Sequence, residues 1–352
     1  LKYSLIKPLL FKINPETAHN LANWLLKYGL IPSVQNIKYP SLQTKILEIN
    51  FDNPVGMAAG FDKNAQIFAN LFNFGFGFVE VGTVTPKPQI GNEKPRIFRL
   101  IEDEAIINRL GFNNLGIEQL LKNIKRNSKP SKIVGINIGK NKDTQDAVED
   151  YLFLLKKIYG KSQYITINIS SPNTKNLRDI QKASELDLFL KTILQEKQKL
   201  QNLYNQNIPI LLKIAPDLNQ EEQEAIADIA VRQKIDGLII GNTTISRPKD
   251  LHSKYQIETG GLSGRPLFAI SNIVLKNIYQ LTKGQIPIIA IGGISSGEDA
   301  YTKIKLGASL VQIYSAFIYQ GFGMVEEVKK ELALLLKNDG FTNISEAIGQ
   351  GL

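Results

Sequence analysis

The run Asn168-Ile169-Ser170-Ser171-Pro172-Asn173-Thr174 holds the groups in this chain best placed to do chemistry. Between Asn168 and Asn173 stand two carboxamides and two hydroxyls, which donate and accept hydrogen bonds without fixed charge. Such a set suits a planar, polar heterocycle better than a phosphate or a metal. Ser171 is a poor base without a relay, and no histidine lies near it in sequence. Taken alone the run also reads as a Ser/Asn-rich turn. Its setting argues otherwise. It closes the apolar stretch Tyr164-Ile165-Thr166-Ile167, which reads as a buried strand, and strand carboxyl ends are where α/β barrels keep their chemistry.

The elements that must position these groups follow from the hydrophobic pattern. From residue 54 onward, short apolar runs alternate with segments of helical period. Candidate strands cover 54–58, 78–82, 133–138, 164–169, 209–214, 237–241, 287–291 and 310–314, with helical patterns such as 221–233 and 266–281 after them. Eight such units predict an α/β fold, a (β/α)8 TIM barrel. The second and third strands are expected to flank a long polar loop. Small or polar residues recur at the strand ends: Ala59-Gly60-Phe61-Asp62-Lys63, Gly82-Thr83, Asn137, Asn168, Lys213, Asn242-Thr243, Gly292-Gly293 and Tyr314-Ser315. One polar face of the barrel is therefore the expected active site.

Residues 1–40 stand outside the alternation, and the expected division is a two-helix extension over 1–40 and a barrel over 41–352. Ile6, Leu9, Leu10 and Ile13 form one apolar stripe, and Ala18, Leu21, Ala22 and Leu25 a second. Asn14 reads as an N-cap with Pro15 at the first helical position. Lys2, Lys7, Lys12 and Lys27 flank the stripes. These short helices must pack on the barrel, bind a partner or lie on a membrane. The leading Leu1 suggests that the chain starts without its initiator, and no secretory signal is visible.

Composition narrows the chemistry. Cysteine is absent, which excludes thiolate metal sites and a cysteine base, and His19 and His252 have no partner at metal-ligand spacing, so no metal is expected. The net charge of +9 is spread along the chain, favouring an anionic membrane surface over nucleic acid. Gly292-Gly293 and a further glycine turn over 260–264 favour a phosphorylated ligand. Lys213, on an inward strand, is costly unless it meets an electron-rich acceptor such as the N1/O2 edge of a flavin ring.

Longer motifs carry a resemblance. The segments 56–63 (GMAAGFDK), 82–86 (GTVTP), 96–100 (RIFRL), 108–114 (NRLGFNN) and 135–141 (GINIGKN) resemble dihydroorotate dehydrogenase. So do the 168–174 run, Lys213-Ile214-Ala215-Pro216-Asp217 and 260–266. Class 1 members of that family use a cysteine base and lack the N-terminal extension; class 2 members use serine, carry it, and reduce quinone at a membrane. Ser171 at the base position, the absence of cysteine and the extension all resemble class 2. Phe61 departs from the leucine usual in its motif.

The resemblance implies FMN as cofactor, contacted by Ala59, Gly60, Phe61, Asp62, Lys63, Thr83, Asn137, Asn168, Lys213, Gly241, Gly264, Gly293, Tyr314 and Ser315. It implies dihydroorotate held by Lys63, Asn108, Arg109, Leu110, Gly111, Phe112, Asn168, Asn173, Asn242 and Thr243, with Ser171 as catalytic base. Thr174 and Phe112 would shape a proton relay, and His19, Arg99 and Tyr314 would stand near quinone. The implied role is oxidation of dihydroorotate to orotate in pyrimidine biosynthesis. The implied place is the cytoplasmic face of a bacterial membrane, or the mitochondrial inner membrane in a eukaryote. A 2-hydroxy-acid oxidase needs a barrel-face histidine and a nucleotide dehydrogenase a cysteine; neither motif is present. A non-catalytic barrel scaffold would have no need of Ser171 and the asparagines.

Overall fold

Eight short parallel strands, buried along nearly their whole length, close on themselves in chain order. The structure is a computed structural model that describes residues 3–129 and 131–352. Thirteen strands are present among these residues: β1 Thr44–Ile46, β2 Ile49–Phe51, β3 Val55–Met57, β4 Phe78–Val84, β5 Ile97–Leu100, β6 Ala105–Asn108, β7 Ile133–Ile138, β8 Tyr164–Asn168, β9 Ile210–Ile214, β10 Gly237–Ile240, β11 Gly261–Gly264, β12 Ile288–Ile291 and β13 Leu310–Ile313. The barrel runs β3, β4, β7, β8, β9, β10, β12, β13 and back to β3. Each barrel strand falls on a segment expected from the apolar pattern. Runs of Ile, Val and Leu suit strands buried on both faces.

One end of the barrel is sealed. Phe78, Ile133, Tyr164, Leu211, Ile239, Ile289 and Leu310, each at or near the start of its strand, pack together with Phe51 from the β1–β2 hairpin. Burying each such side chain contributes about 1.5–3 kcal/mol. With that end filled by hydrocarbon, a polar site has to form at the carboxyl ends.

Three expectations need correction. The segment between the second and third barrel strands is not simply a polar loop: β5 and β6 pair there as an antiparallel hairpin, with the helix Gly116–Asn127 behind it. Residues 260–264 are not a glycine turn but contain β11, which pairs with β6 through Gly261 and Asn108. The small residues permit that close approach. The first barrel strand is followed by only a short helical segment, the α-helical turn Phe68–Leu71 continuing as a 3-10 turn over Phe72–Phe74.

Two helices precede the barrel, α1 Tyr3–Lys12 and α2 Pro15–Lys27. As expected, Asn14 caps α2, its Oδ1 accepting from the Glu16 and Thr17 N–H groups at 3.0 and 3.3 Å, with Pro15 in the first turn. Arg96, itself buried, grips Glu16 with Nη2 at 2.7 Å and Nε at 3.2 Å, and so pins α2 to the barrel rim. The apolar stripes are distributed differently from the expectation. Leu10, Ala18 and Ala22 face a cavity, while Leu9 and Leu21 are 67% and 41% exposed. Leu26 is the buried anchor of α2, ahead of Leu25. The helices are apolar on two sides, one inward and one outward. Of the flanking lysines, Lys2 lies outside the described residues. Among the described residues, no helix is long and apolar enough to cross a membrane.

Candidate active site

The carboxyl ends of the barrel strands surround a cavity. Its floor is a hydrogen-bonded set of buried side chains. Thr83 Oγ1 donates to Asn137 Oδ1 at 2.5 Å, and Asn168 Nδ2 donates to Thr83 Oγ1 at 3.0 Å and Asn137 Oδ1 at 3.2 Å. Beneath them lies Glu80, fully buried, accepting from Asn137 Nδ2 at 2.7 Å, Gln312 Nε2 at 2.9 Å and Tyr164 Oη at 3.1 Å. Lys213 is buried in the same layer; burial lowers its pKa and the charge of Glu80 opposes that. The lysine is thus presented to the cavity with its countercharge below it.

Ser171 is positioned by the loop after β8. Its Oγ accepts from the Asn173 N–H at 3.3 Å and it lines the cavity. Three strand ends are tied together beside it. The Arg178 guanidinium meets Asp217 at 2.7 Å, and donates to the Ser170 carbonyl at 2.9 Å and the Thr243 carbonyl at 2.9 Å. Asn242 Nδ2 donates to Ser170 Oγ at 2.8 Å, and Asn173 Nδ2 donates to the Asn108 carbonyl at 3.1 Å. Carboxamides from β6, β8 and the loops after β8 and β10 converge here, as the sequence suggested. Thr174 Oγ1 is buried with no hydrogen-bond partner among the described residues.

Opposite Ser171, Gly292 and Gly293 turn at φ +119° and +73°, backbone geometry that L side chains rarely adopt. A Cβ on Gly293 would lie 2.5 Å from Phe268, so only glycine fits. Gly264, Arg265, Ser295 and Ser315 share this part of the cavity.

A second cavity lies between the barrel and the two N-terminal helices. Leu10, Phe11, Ala18, Ala22, Phe61 and Phe317 give it an apolar wall, and His19, Arg99 and Tyr314 are its main polar groups. Arg99 Nη1 donates to the Phe11 and Ile13 carbonyls at 3.1 Å each. His19 Nε2 and Asn23 Nδ2 are 3.0 Å apart, and the imidazole meets the Phe61 ring edge-on at 5.2 Å. Burial, helped by the charge of Lys63, pushes the His19 pKa down to about 3, so the ring is neutral. Tyr314, pushed up to about 12 by burial, stays a phenol and donates to the Gly60 carbonyl at 3.3 Å. The two cavities share Lys63, Asn108, Leu110, Ser263 and Tyr314.

Most of the expected site residues line one cavity or the other. Ala59, Gly60, Thr83, Gly111, Phe112, Asn168, Lys213, Asn242, Thr243, Gly264, Gly293 and Ser315 border the polar one. Six of the residues expected at the polar cavity do not line it. Phe61 borders the apolar cavity instead. Asp62 turns inward to accept from the Gln66, Ile67 and Phe68 N–H groups at 2.7–2.9 Å. Asn137 lies beneath the wall, holding Thr83 and Asn168. Arg109 points away from the cavity, paired with Glu258 at 2.7 Å and stacked on Phe98. Gly241, at φ +110°, and Thr174 also stand behind the lining. Glu80 and Gln312 escaped the sequence reading; a lone acid inside the apolar run 78–81 of β4 was the available signal.

A closed (β/α)8 barrel with a serine, carboxamides and a buried lysine at its carboxyl mouth is built as an enzyme for a small polar substrate. A family model described as dihydroorotate dehydrogenase matches residues 41–336. Dihydroorotate dehydrogenase (quinone) from Azorhizobium caulinodans is 46% identical over 349 residues, covering 99% of this chain and 98% of that protein. The same-named protein from Rhodospirillum rubrum is 47% identical over 348 residues, covering 99% and 94%. The crystal structure of DHODH from Eimeria tenella in complex with ferulenol matches with a TM-score of 0.92 at 42% identity, covering 98% of each chain. The chain belongs to the dihydroorotate dehydrogenase family of flavin-dependent oxidoreductases.

Proposed function

We propose that this protein oxidises (S)-dihydroorotate to orotate in pyrimidine biosynthesis, with FMN as hydride acceptor and quinone as final oxidant. The observation that carries this reading is the pair of cavities, one polar and one apolar, meeting at Lys63, Asn108, Leu110, Ser263 and Tyr314. The donor set of the polar cavity fits FMN. Gly292-Gly293, Gly264 and Arg265 would offer backbone N–H groups and a cation to the phosphate, and Lys213, Thr83 and Asn168 would serve the ring. When bound, FMN supplies a two-electron acceptor that can hand its electrons on to quinone.

The chain's own residues do the rest. Lys63 provides a cation for the dihydroorotate carboxylate, and Asn108, Asn168, Asn173 and Asn242 match its ring amides. These contacts fix C5 and C6 before reaction, which lowers the barrier by orientation. As C6 gives up its hydride, Ser171 Oγ accepts the C5 proton. The serine must then pass on a proton, and the unpartnered Thr174 hydroxyl, with Phe112 as a wall, marks room for a water that takes it. On the other side, His19, Arg99 and Tyr314 offer hydrogen bonds to quinone carbonyls within an apolar wall.

Residues 1–40 are the proposed quinone-access unit, with the barrel from 41 onward. Leu5, Leu9, Leu21, Trp24, Tyr28 and Leu30 are 41–69% exposed on the outer face of this unit, with Lys7, Lys12 and Lys27 beside them. That combination suits peripheral binding to an anionic bilayer, here the cytoplasmic face of a bacterial membrane. The direct test is anaerobic addition of dihydroorotate to the FMN-loaded protein. Bleaching of the flavin bands, reversed by quinone, is expected. A protein that takes up no FMN, or whose bands dihydroorotate leaves unchanged, overturns the reading.

A further inference from the structure

Lys303 lies on the helix Gly297–Lys305, and its side chain is 0% exposed. A buried ammonium normally sits against a carboxylate, because an isolated interior charge is costly. No carboxylate among the described residues pairs with this one. Asp299, one turn back, acts on it only at a distance, its own carboxylate accepting from the Ser295 N–H at 2.8 Å and Oγ at 2.7 Å. Lys303 Nζ instead donates to two neutral groups, Ser271 Oγ and Asn272 Oδ1, both at 2.8 Å, and stands 5.0 Å from the Phe268 ring centre. Burial holds its pKa at about 7.

The groups around this ammonium are also the seat of the Gly292-Gly293 turn. Ser271 Oγ lies 3.0 Å from the Phe268 carbonyl and 3.2 Å from the Gly292 carbonyl, and its one proton is shared between them. A Cβ on Gly292 would lie 2.8 Å from Ser271 Oγ, and one on Gly293 would lie 2.5 Å from Phe268. Below about pH 7, a positive charge without a paired anion among the described residues therefore lies one serine behind the turn whose front borders the polar cavity.

We propose that Lys303 is the buried countercharge of the cofactor phosphate, a positioning residue that braces the Gly292-Gly293 turn through Ser271 and favours a dianion in front of it. The inference rests on the FMN reading of the polar cavity. Arg265 borders the same cavity, but its side chain is 72% exposed and paired with Glu104 at 3.4 Å, so solvent screens its charge. Lys303 is not screened, and the field of a buried charge persists over several ångströms.

Riboflavin, which lacks the phosphate, separates this role from packing. Dissociation constants for FMN and riboflavin would be measured by flavin fluorescence on the full chain after exchange of its bound flavin. Lys303→Met is expected to weaken FMN roughly tenfold, an effect of ordinary size for one charge at this range, and to leave riboflavin within about twofold. Lys303→Arg should recover most of the FMN affinity. Equal loss of both flavins, or loss of neither, would make Lys303 a packing residue and overturn the proposal. Should Lys303→Met not fold, Ser271→Ala decides in its place: selective loss of FMN supports the link, and unchanged FMN affinity overturns it. A wild-type chain that binds neither flavin overturns the FMN reading itself. One that binds both equally well overturns only the countercharge.

Discussion

A serine without a histidine has to act as a base by location, and Ser171, the proposed base, lines the polar cavity. It is 7% exposed and held by the Asn173 N–H, three residues before Thr174, whose hydroxyl has no partner among the described residues. Ser171→Ala should slow flavin reduction by dihydroorotate by about 10²–10⁴-fold, the usual worth of a general base, while FMN stays bound. Stopped-flow absorbance reads both, and reduction at the wild-type rate would assign the base elsewhere. Lys63 gives a second prediction. Burial, with Arg96 adding to it and Glu16 opposing, brings its pKa down to about 8. Below that pH it is the ammonium that a carboxylate needs; above it the charge is lost. Hence kcat/KM for dihydroorotate should be flat up to about pH 8 and then fall, by at most tenfold per pH unit, and Lys63→Met should be low and flat. Stability moves the opposite way. The unfolded lysine, at 10.5, binds more protons than the folded one between about pH 8 and 10.5, so this group makes the fold more stable as pH rises there. The loss of kcat/KM is therefore separable from unfolding by a parallel melt. At this scale the sequence exposed the residues that line the cavities, because small and polar types at strand ends are conspicuous. It did not expose direction: Asp62 and Arg109 belong to the right motifs, yet one caps a turn and the other binds Glu258.

The elements matter because the site is assembled from loops after different strands. Arg178 joins three of them, through Asp217, the Ser170 carbonyl and the Thr243 carbonyl. Its side chain is 22% exposed and that of Asp217 11%, so removing the guanidinium strands a mostly buried carboxylate. Arg178→Met should cost about 3 kcal/mol in urea unfolding. It should also slow flavin reduction more than it weakens FMN binding, since the loop it braces carries Ser171. Unchanged stability and unchanged reduction rate together would show that the loops hold their places without it. The barrel strands were legible because two-sided burial writes them as unbroken Ile/Val/Leu runs, such as Ile210-Leu211-Leu212. The three-stranded sheet was not. β11 reads Gly-Leu-Ser-Gly, with no alternation to mark it, and its partner β6 was read as part of a loop because the pairing spans about 150 residues of chain. Likewise α1 and α2 were legible as helices from their caps and periodicity. Which stripe faced inward was not, because both sides of each helix are apolar.

At the scale of the molecule, those two apolar sides separate two roles that a sequence-level deletion would confound. The inner side, Leu10, Ala18 and Ala22, walls the proposed quinone cavity, whereas the outer side, Leu9, Leu21 and Trp24, is exposed. Removing the whole extension would also uncover Phe61, Phe317 and Phe322 and take Glu16 from Arg96, so loss of activity would not reveal its cause. Single-sided changes do. Ala22→Phe adds a ring inside the cavity and should abolish turnover with every quinone, short or long in tail, while anaerobic flavin reduction by dihydroorotate stays within about twofold, because the polar cavity is untouched. Replacing Leu9, Leu21 and Trp24 together by Gln leaves that wall intact. It should preserve turnover with a short-tailed, water-soluble quinone but weaken binding to vesicles of anionic lipid by about 100-fold or more, since each of the three large side chains withdrawn from the bilayer forfeits about 1–2 kcal/mol. Vesicle co-sedimentation and steady-state assays with both quinones read the two variants side by side. If Ala22→Phe turns over quinone normally, the apolar cavity is not the acceptor site. If the outer triple variant still binds vesicles as wild type does, the exposed face is ordinary surface, and quinone must reach the cavity without the protein docking on a membrane through these helices.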